Sequence, residues 1–239
     1  MMKQNEQTIQ SYLQRISNIL LINGGFLDNI GLYTGEMGLV LFFFKYARYA
    51  GNELFKDYGF ELIEKIQQRI YKELPIDYKK GLSGIGSAIE YLVQEGFIEA
   101  DTDEVLEEFD NRLFYTFNLP LLTITEIIDI GHYAIWRFAG SNTKKELFQK
   151  TIFPQIDKIR HNHLLPPLWL QLRGKTISNS WTEKTLSHCK QLIEENKFWN
   201  KEIGFQDGLA GWGMTLLTEL DGDKSWFSLF PEGFNNERK

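Results

Sequence analysis

Three acidic residues stand just before or at the start of apolar runs: Glu36 before MGLVLFFF, Asp129 before IGHYAIWRF, and Asp207 before GLAGWGMTLL. Two carboxylates facing each other across a cleft can divide general acid and general base work, as in glycoside hydrolysis. The same residues at helix starts also cap their own helices and satisfy unpaired N–H groups. His132, three residues after Asp129, adds an imidazole that is either a substrate contact or a core residue. Four histidines and a single cysteine raise the question of a metal site. His161 and His163 form His-x-His ahead of Pro166-Pro167, and His188 directly precedes Cys189. No two of these residues have the i, i+4 spacing that puts ligands on one helical face, so structural roles are the expectation. We expect no metal and no cofactor. Cys189 falls at a core position of an expected helix, where a lone thiol behaves as a small hydrophobe.

The elements that must position these groups are announced by glycines. Residues 81–86 read Gly-Leu-Ser-Gly-Ile-Gly, and residues 208–213 read Gly-Leu-Ala-Gly-Trp-Gly with the same spacing. A looser copy runs from Gly31 to Gly38, and a fourth ends at Gly131. A fifth, degenerate copy is expected near Gly174, giving units of about 45 residues, a length typical of helix-pair repeats. Between the glycines lies a second pattern. Leu54, Phe55, Tyr58, Leu62, Ile63 and Ile66 form a one-sided stripe, and Val105, Leu106, Phe109, Leu113, Phe114 and Phe117 repeat its offsets. Such spacing describes an amphipathic helix, with Asp101 or Thr102 as the cap of the second. The first of the runs after the glycines, GLVLFFFKYA, is apolar nearly all round, so it is expected to be buried on most sides. Ile9, Tyr12, Leu13, Ile16, Ile19 and Leu20 predict one more amphipathic helix, closed by Asn23-Gly24-Gly25. No useful strand alternation appears. The expectation is an all-α fold, a single domain over 1–239, with a tail from 221 to 239 that lies across one end or covers a partner site.

Composition narrows the partners. With 26 basic and 32 acidic residues the net charge is −6, which argues against binding a phosphate backbone. The longest apolar runs are too short for a signal peptide or a membrane span, so no membrane association and a cytoplasmic location are expected. Aromatic residues, 18 Phe, 10 Tyr and 6 Trp, are numerous enough to fill the space between two helical layers.

The segments GLSGIGSAIEYL (81–92), GLYTGEMGLVLFFFKYARYAGNE (31–53) and GLAGWGMTLL (208–217) resemble repeats of the lanthionine synthetase C-like (LanC-like) family. That resemblance implies an (α/α) toroid, here with about five inner–outer helix pairs rather than the seven usual in the family. It also implies work on ribosomally made peptides, in which enzymatic members use zinc-bound thiolate to form thioether rings. The family holds zinc through a Trp-Cys-Tyr-Gly and a Cys-His-Gly segment. The matching positions here are Trp181-Thr182 and Gln206-Asp207-Gly208, so the cysteines and the histidine are replaced. A zinc-free protein that binds a peptide substrate or a partner modification enzyme follows. Gln206, Asp207, Trp181 and Trp212 are its expected ligand-binding residues, and Asp207, Glu36, Asp129 and His132 its candidate catalytic ones. A carboxylate-based hydrolase and a metal-dependent cyclase with altered ligands are the alternatives. Five pairs closing poorly alone would favour a homo-oligomer or a partner that seals the ring.

Overall fold

The structure, a computed structural model, describes residues 2–70, 74–117, 122–141, 143–147, 149–150, 154, 191, 195 and 202–230. Among these residues the regular structure is helical, with no strand. None of their helices is long and apolar enough to cross a membrane. The chain divides into two compact units: Met1–Tyr71 with Asn179–Lys239, and Lys72–Ser178.

In the first unit, α1 (Met2–Asn23) buries Ile9, Leu13, Ile16, Ile19 and Leu20, the stripe expected from its 3.6-residue period. A 3-10 turn (Gly24–Phe26) follows, then α2 (Glu36–Ala50). Every α2 residue from Glu36 to Ala47 is buried, as its all-round apolar sequence requires, and Lys45 is buried with them. Gly51, at φ 61°, ends α2 in the left-handed region where a side chain is costly. Asn52 then caps α3 (Glu53–Arg69) by accepting the Leu54 N–H. The two helices form an antiparallel hairpin, closed by Phe43 edge-on to Tyr58 and by Gly59 lying against the Phe44 ring. Of the six stripe residues expected in α3, Leu62 and Ile66 are fully buried, whereas Leu54 is 59% exposed.

Among the described residues the chain returns to the first unit with α9 (Leu209–Asp221), after α4 to α8 of the second unit. α9 packs parallel to α2: Phe205 lies against Gly38, Phe42 against Gly213, and Asp221 pairs with Lys45 at 3.2 Å. A Cβ at Gly213 would sit 2.3 Å from the Phe42 ring, so the glycine sets this close approach. Parallel packing brings the starts of α2 and α9 to one end of the unit. Beyond Gly222 the chain turns back as a 3-10 turn (Ser225–Leu229), in which Trp226 is fully buried and donates to Thr218. The described part of the tail is thus packed, and residues 231–239 lie outside the described residues.

The second unit contains α4 (Leu82–Gln94), α5 (Thr102–Val105), α6 (Glu107–Phe117), α7 (Ile124–Gly140) and the short α8 (Lys145–Leu147). α4 and α7 again run parallel, with Gly86 against Tyr133, Glu90 bonded to Arg137, and the Gln94 amide on the Trp136 carbonyl. Asp101 caps α5, as expected, by accepting the Asp103 N–H. The second amphipathic stripe is broken at Leu106 into α5 and α6, but Leu106, Phe109 and Leu113 still face inward. α7 starts at a reciprocal cap: Glu126 N–H donates to Thr123 Oγ1 while Thr123 N–H donates to Glu126 Oε2. This cap places Asp129 and Gly131 inside the helix rather than at its start, where the glycine pattern had put them.

Arg137, with no solvent exposure, holds the second unit together. Its guanidinium meets Glu90 at 2.8 Å, Asp103 at 2.8 Å and Asp110 at 3.0 Å, tying α4, α5 and α6 to α7. Tyr133 and Lys144 add hydrogen bonds to Asp110, each at 2.6 Å. Although burial alone would raise it, Asp103 is held well below the usual carboxylate range by Ser141, Thr143 and Arg137. A Cβ at Gly140 would fall 1.5 Å from Glu90 Oε1, so glycine there makes room for the buried carboxylate.

Candidate functional site

α2, α4 and α9 begin in the same way. Their N-caps are Gly35, Gly81 and Gly208, all extended, with φ of −115°, −117° and −114°. The first helical N–H reaches seven residues back in each case: Glu36 to Asn29 O, Leu82 to Pro75 O, and Leu209 to Glu202 O, all at 2.9 Å. This closes a seven-residue loop onto the helix start. A Cβ on the cap glycine would sit 2.4, 2.0 and 2.7 Å from those same carbonyl oxygens. Glycine is required by the close approach of backbone, since these φ values suit any residue. The loops themselves repeat: NIGLYTG (29–35), PIDYKKG (75–81) and EIGFQDG (202–208) share x-Ile-(Gly/Asp)-apolar-x-x-Gly. Leu32, Tyr78 and Phe205, at the equivalent apolar position, are all buried. Gly35, rather than Gly31, is therefore the counterpart of Gly81 and Gly208, and Gly38 matches Gly84 and Gly211. The registration on last glycines is corrected by two residues.

Three buried side-chain oxygens without a hydrogen-bond partner lie at these starts: Glu36 Oε2, Ser83 Oγ and Asp207 Oδ1. Such groups normally find partners, because leaving one unpaired costs about 1–3 kcal/mol. Glu36 is the first residue of α2, Ser83 the second of α4, and Asp207 directly precedes the α9 cap. Helix starts carry partial positive charge and suit carboxylate side chains. Ser83 did not stand out in the sequence, where it reads as one more small residue among glycines.

Glu36 is 1% exposed and pairs through Oε1 with Arg69 at 3.0 Å. Arg69 also donates to the carbonyls of Leu27 and Asp28, so one guanidinium ties the α3 end to the chain ahead of α2. Burial raises the Glu36 pKa, and the opposing charges of Arg69 and Lys65 do not reverse it. On the helical wheel Glu36 shares the α3-facing side of α2, whereas Gly38, Phe42 and Lys45 face α9. The Glu36 carboxylate is therefore not turned toward the α9 start where Asp207 stands. Asp207 adopts φ 59°, unusual for a residue other than glycine, between Gln206 and Gly208. Gln206 donates its N–H to the Tyr33 carbonyl at 2.7 Å, and Phe205 donates to the same oxygen at 2.9 Å. Trp212 is buried one turn into α9. Trp181, Thr182, His161, His163, His188 and Cys189 lie outside the described residues.

In the second unit His132 is buried, its ring 4.8 Å from that of Tyr78 and tilted 43° to it; Tyr78 is the apolar-position residue of the loop before α4. Burial depresses its pKa to about 3, so the imidazole is neutral at physiological pH. Asp129, half-buried, lies one turn earlier on α7. Among the described residues no group of three His, Cys, Asp or Glu is arranged to hold a metal ion. Comparison of the chain with protein-family models, curated proteins and solved structures finds no match. The first unit offers carboxylate oxygens at the starts of α2 and α9, and the second a hydroxyl at the start of α4 and a neutral imidazole on α7.

Proposed function

We propose that the protein is a zinc-free, LanC-like helical-repeat protein that binds a peptide, or the enzyme modifying it, during maturation of a ribosomally made peptide. In this reading the peptide is held at the α9 start, beside Asp207, and the fold is a toroid of about five helix pairs. One observation carries this reading: three loops of equivalent geometry deliver three helix starts, each with a buried oxygen lacking a protein partner. A tight turn alone would not need unpaired polar groups at each start. The parallel packing of α2 with α9, and of α4 with α7, supports the inner-helix arrangement that the family resemblance implies. Gln206 and Asp207, at the positions of the family's cysteine and histidine, contact the peptide in this reading.

The test is direct. Precursor peptides encoded beside the gene are titrated into the purified chain, followed by calorimetry, with elemental zinc analysis of the same sample. Micromolar binding that weakens at least tenfold in Asp207→Ala, without bound zinc, is the expected result. One tightly held zinc per chain, or a thioether product, would transfer the case to a metal-dependent cyclase. Absence of binding both to these peptides and to the modification enzyme encoded with them would remove the reading.

A further inference from the structure

The segment after α9 is arranged like a docked peptide. Gly222, at φ 73°, ends α9, and the chain then runs back along it. Trp226 reaches Thr218 in the last turn of α9. Four residues later Phe230 stacks on Phe205 at 4.2 Å and 9°, and lies 5.1 Å from Tyr33. Tyr33 and Phe205 belong to the two seven-residue loops that precede α2 and α9. The end of this segment thus sits in an aromatic slot formed by both loops, the second of which also carries Gln206 and Asp207. Trp226, Leu229 and Phe230 are the buried residues of the turn, while Ser225, Phe227 and Ser228 are only partly covered. Anchors at i, i+3 and i+4 are the pattern by which a short helical peptide lays one face into a groove. A five-residue 3-10 turn has little stability of its own, so its conformation is imposed by the slot. Asp223, paired with Lys45 at the base of the segment, acts as its latch.

Taking the protein as a peptide binder, we infer that residues 225–230 are an intramolecular occupant of its binding slot. The slot takes peptides with apolar anchors, two of them aromatic, at i, i+3 and i+4, and such a ligand displaces the chain's own segment.

The probe is a fluorescein-labelled synthetic peptide of sequence GDKSWFSLF, residues 222–230, read by anisotropy against the full-length chain. Phe230→Ala, with a weakened resident segment, binds the probe at least tenfold more tightly than the wild type, and a scrambled peptide binds neither. Asp223→Asn keeps every aromatic anchor but loses the latch, and gives a smaller gain in the same direction. Hydrogen exchange at 33–35 and 205–207 slows when the probe is added to either variant. If both variants keep native circular dichroism yet bind no better than the wild type, or if only Phe230→Ala unfolds and Asp223→Asn gains nothing, the segment is ordinary core and the inference falls. Tail-peptide binding without precursor binding would uphold the slot and remove the maturation role. Precursor binding indifferent to both substitutions would do the reverse.

Discussion

Replacing Gly81 by alanine tests the central geometric claim, that the cap glycines are fixed by contact rather than by torsion. The new Cβ would stand 2.0 Å from Pro75 O and 2.9 Å from Asp77 O, both backbone atoms that cannot swing aside. The loop must open, and the bonds from Leu82 N–H to Pro75 O and from Gly81 N–H to Asp77 O go with it. Two backbone hydrogen bonds contribute about 1 kcal/mol each. Exchanging glycine for alanine at an N-cap adds roughly 0.5–1 kcal/mol. The expected loss is about 3 kcal/mol, or about 6–12 °C in Tm for a chain of this size. Gly51→Ala is the control: it forces alanine to φ 61° but meets nothing within 4 Å, so about 1 kcal/mol is expected. Thermal and urea unfolding of both variants, followed by far-ultraviolet circular dichroism, measures the contrast. Equal costs for the two would refute the contact argument.

Three further perturbations probe the buried charges. Arg137→Met leaves Glu90 and Asp110 buried without their main partner, so stability falls by about 3–5 kcal/mol in urea unfolding. His132 has a folded pKa of about 3 against an ordinary value near 6.5, so below about pH 6.5 the unfolded chain takes up a proton that the folded one refuses. Its share of stability is full above that range and is lost as pH falls toward 3; His132→Phe should flatten the decline by a few kcal/mol. Glu36 has a raised folded pKa, so its stabilising share is present at low pH and lost as pH rises through that value. Glu36→Gln should therefore match or exceed wild-type stability at neutral pH, with its advantage shrinking in acid, as urea midpoints at two pH values would show.

Local signals in the sequence foretold local structure well. The helix stripe of α1, the all-round burial of α2, the Asp101 cap and the glycine starts of α4 and α9 each depend on residues within a turn or two. The α7 start is marked by Thr123-x-x-Glu126, a capping-box spacing, but Gly131 gives a competing signal further along the chain. The seven-residue loop pattern is likewise present in the sequence, but the last glycine of each copy is the more conspicuous mark and masks the Ile and apolar positions upstream. Arg137 and Lys45 are another matter. Each sits in an apolar run and would ordinarily be assigned to a solvated edge; both are buried because their carboxylate partners come from far along the chain. Periodicity cannot report a partner that arrives only through tertiary packing. For the same reason it could not show that Glu36 turns toward Arg69, or that Ser83 is left without a partner.

The two units differ in how the chain supplies them, because Lys72–Ser178 is continuous whereas the other unit is assembled from Met1–Tyr71 and Asn179–Lys239. During synthesis the continuous unit can gather its Arg137 network as soon as its own residues emerge, while α2 waits with an uncompensated Lys45 and an exposed aromatic face. Completion of that earlier segment depends on α9 and the turn behind it, so the order of maturation runs from the middle of the chain outward. A ribosome-stalled nascent chain ending before residue 202 would carry α2 without α9, its Lys45 and aromatic face unmatched, a natural client for chaperones.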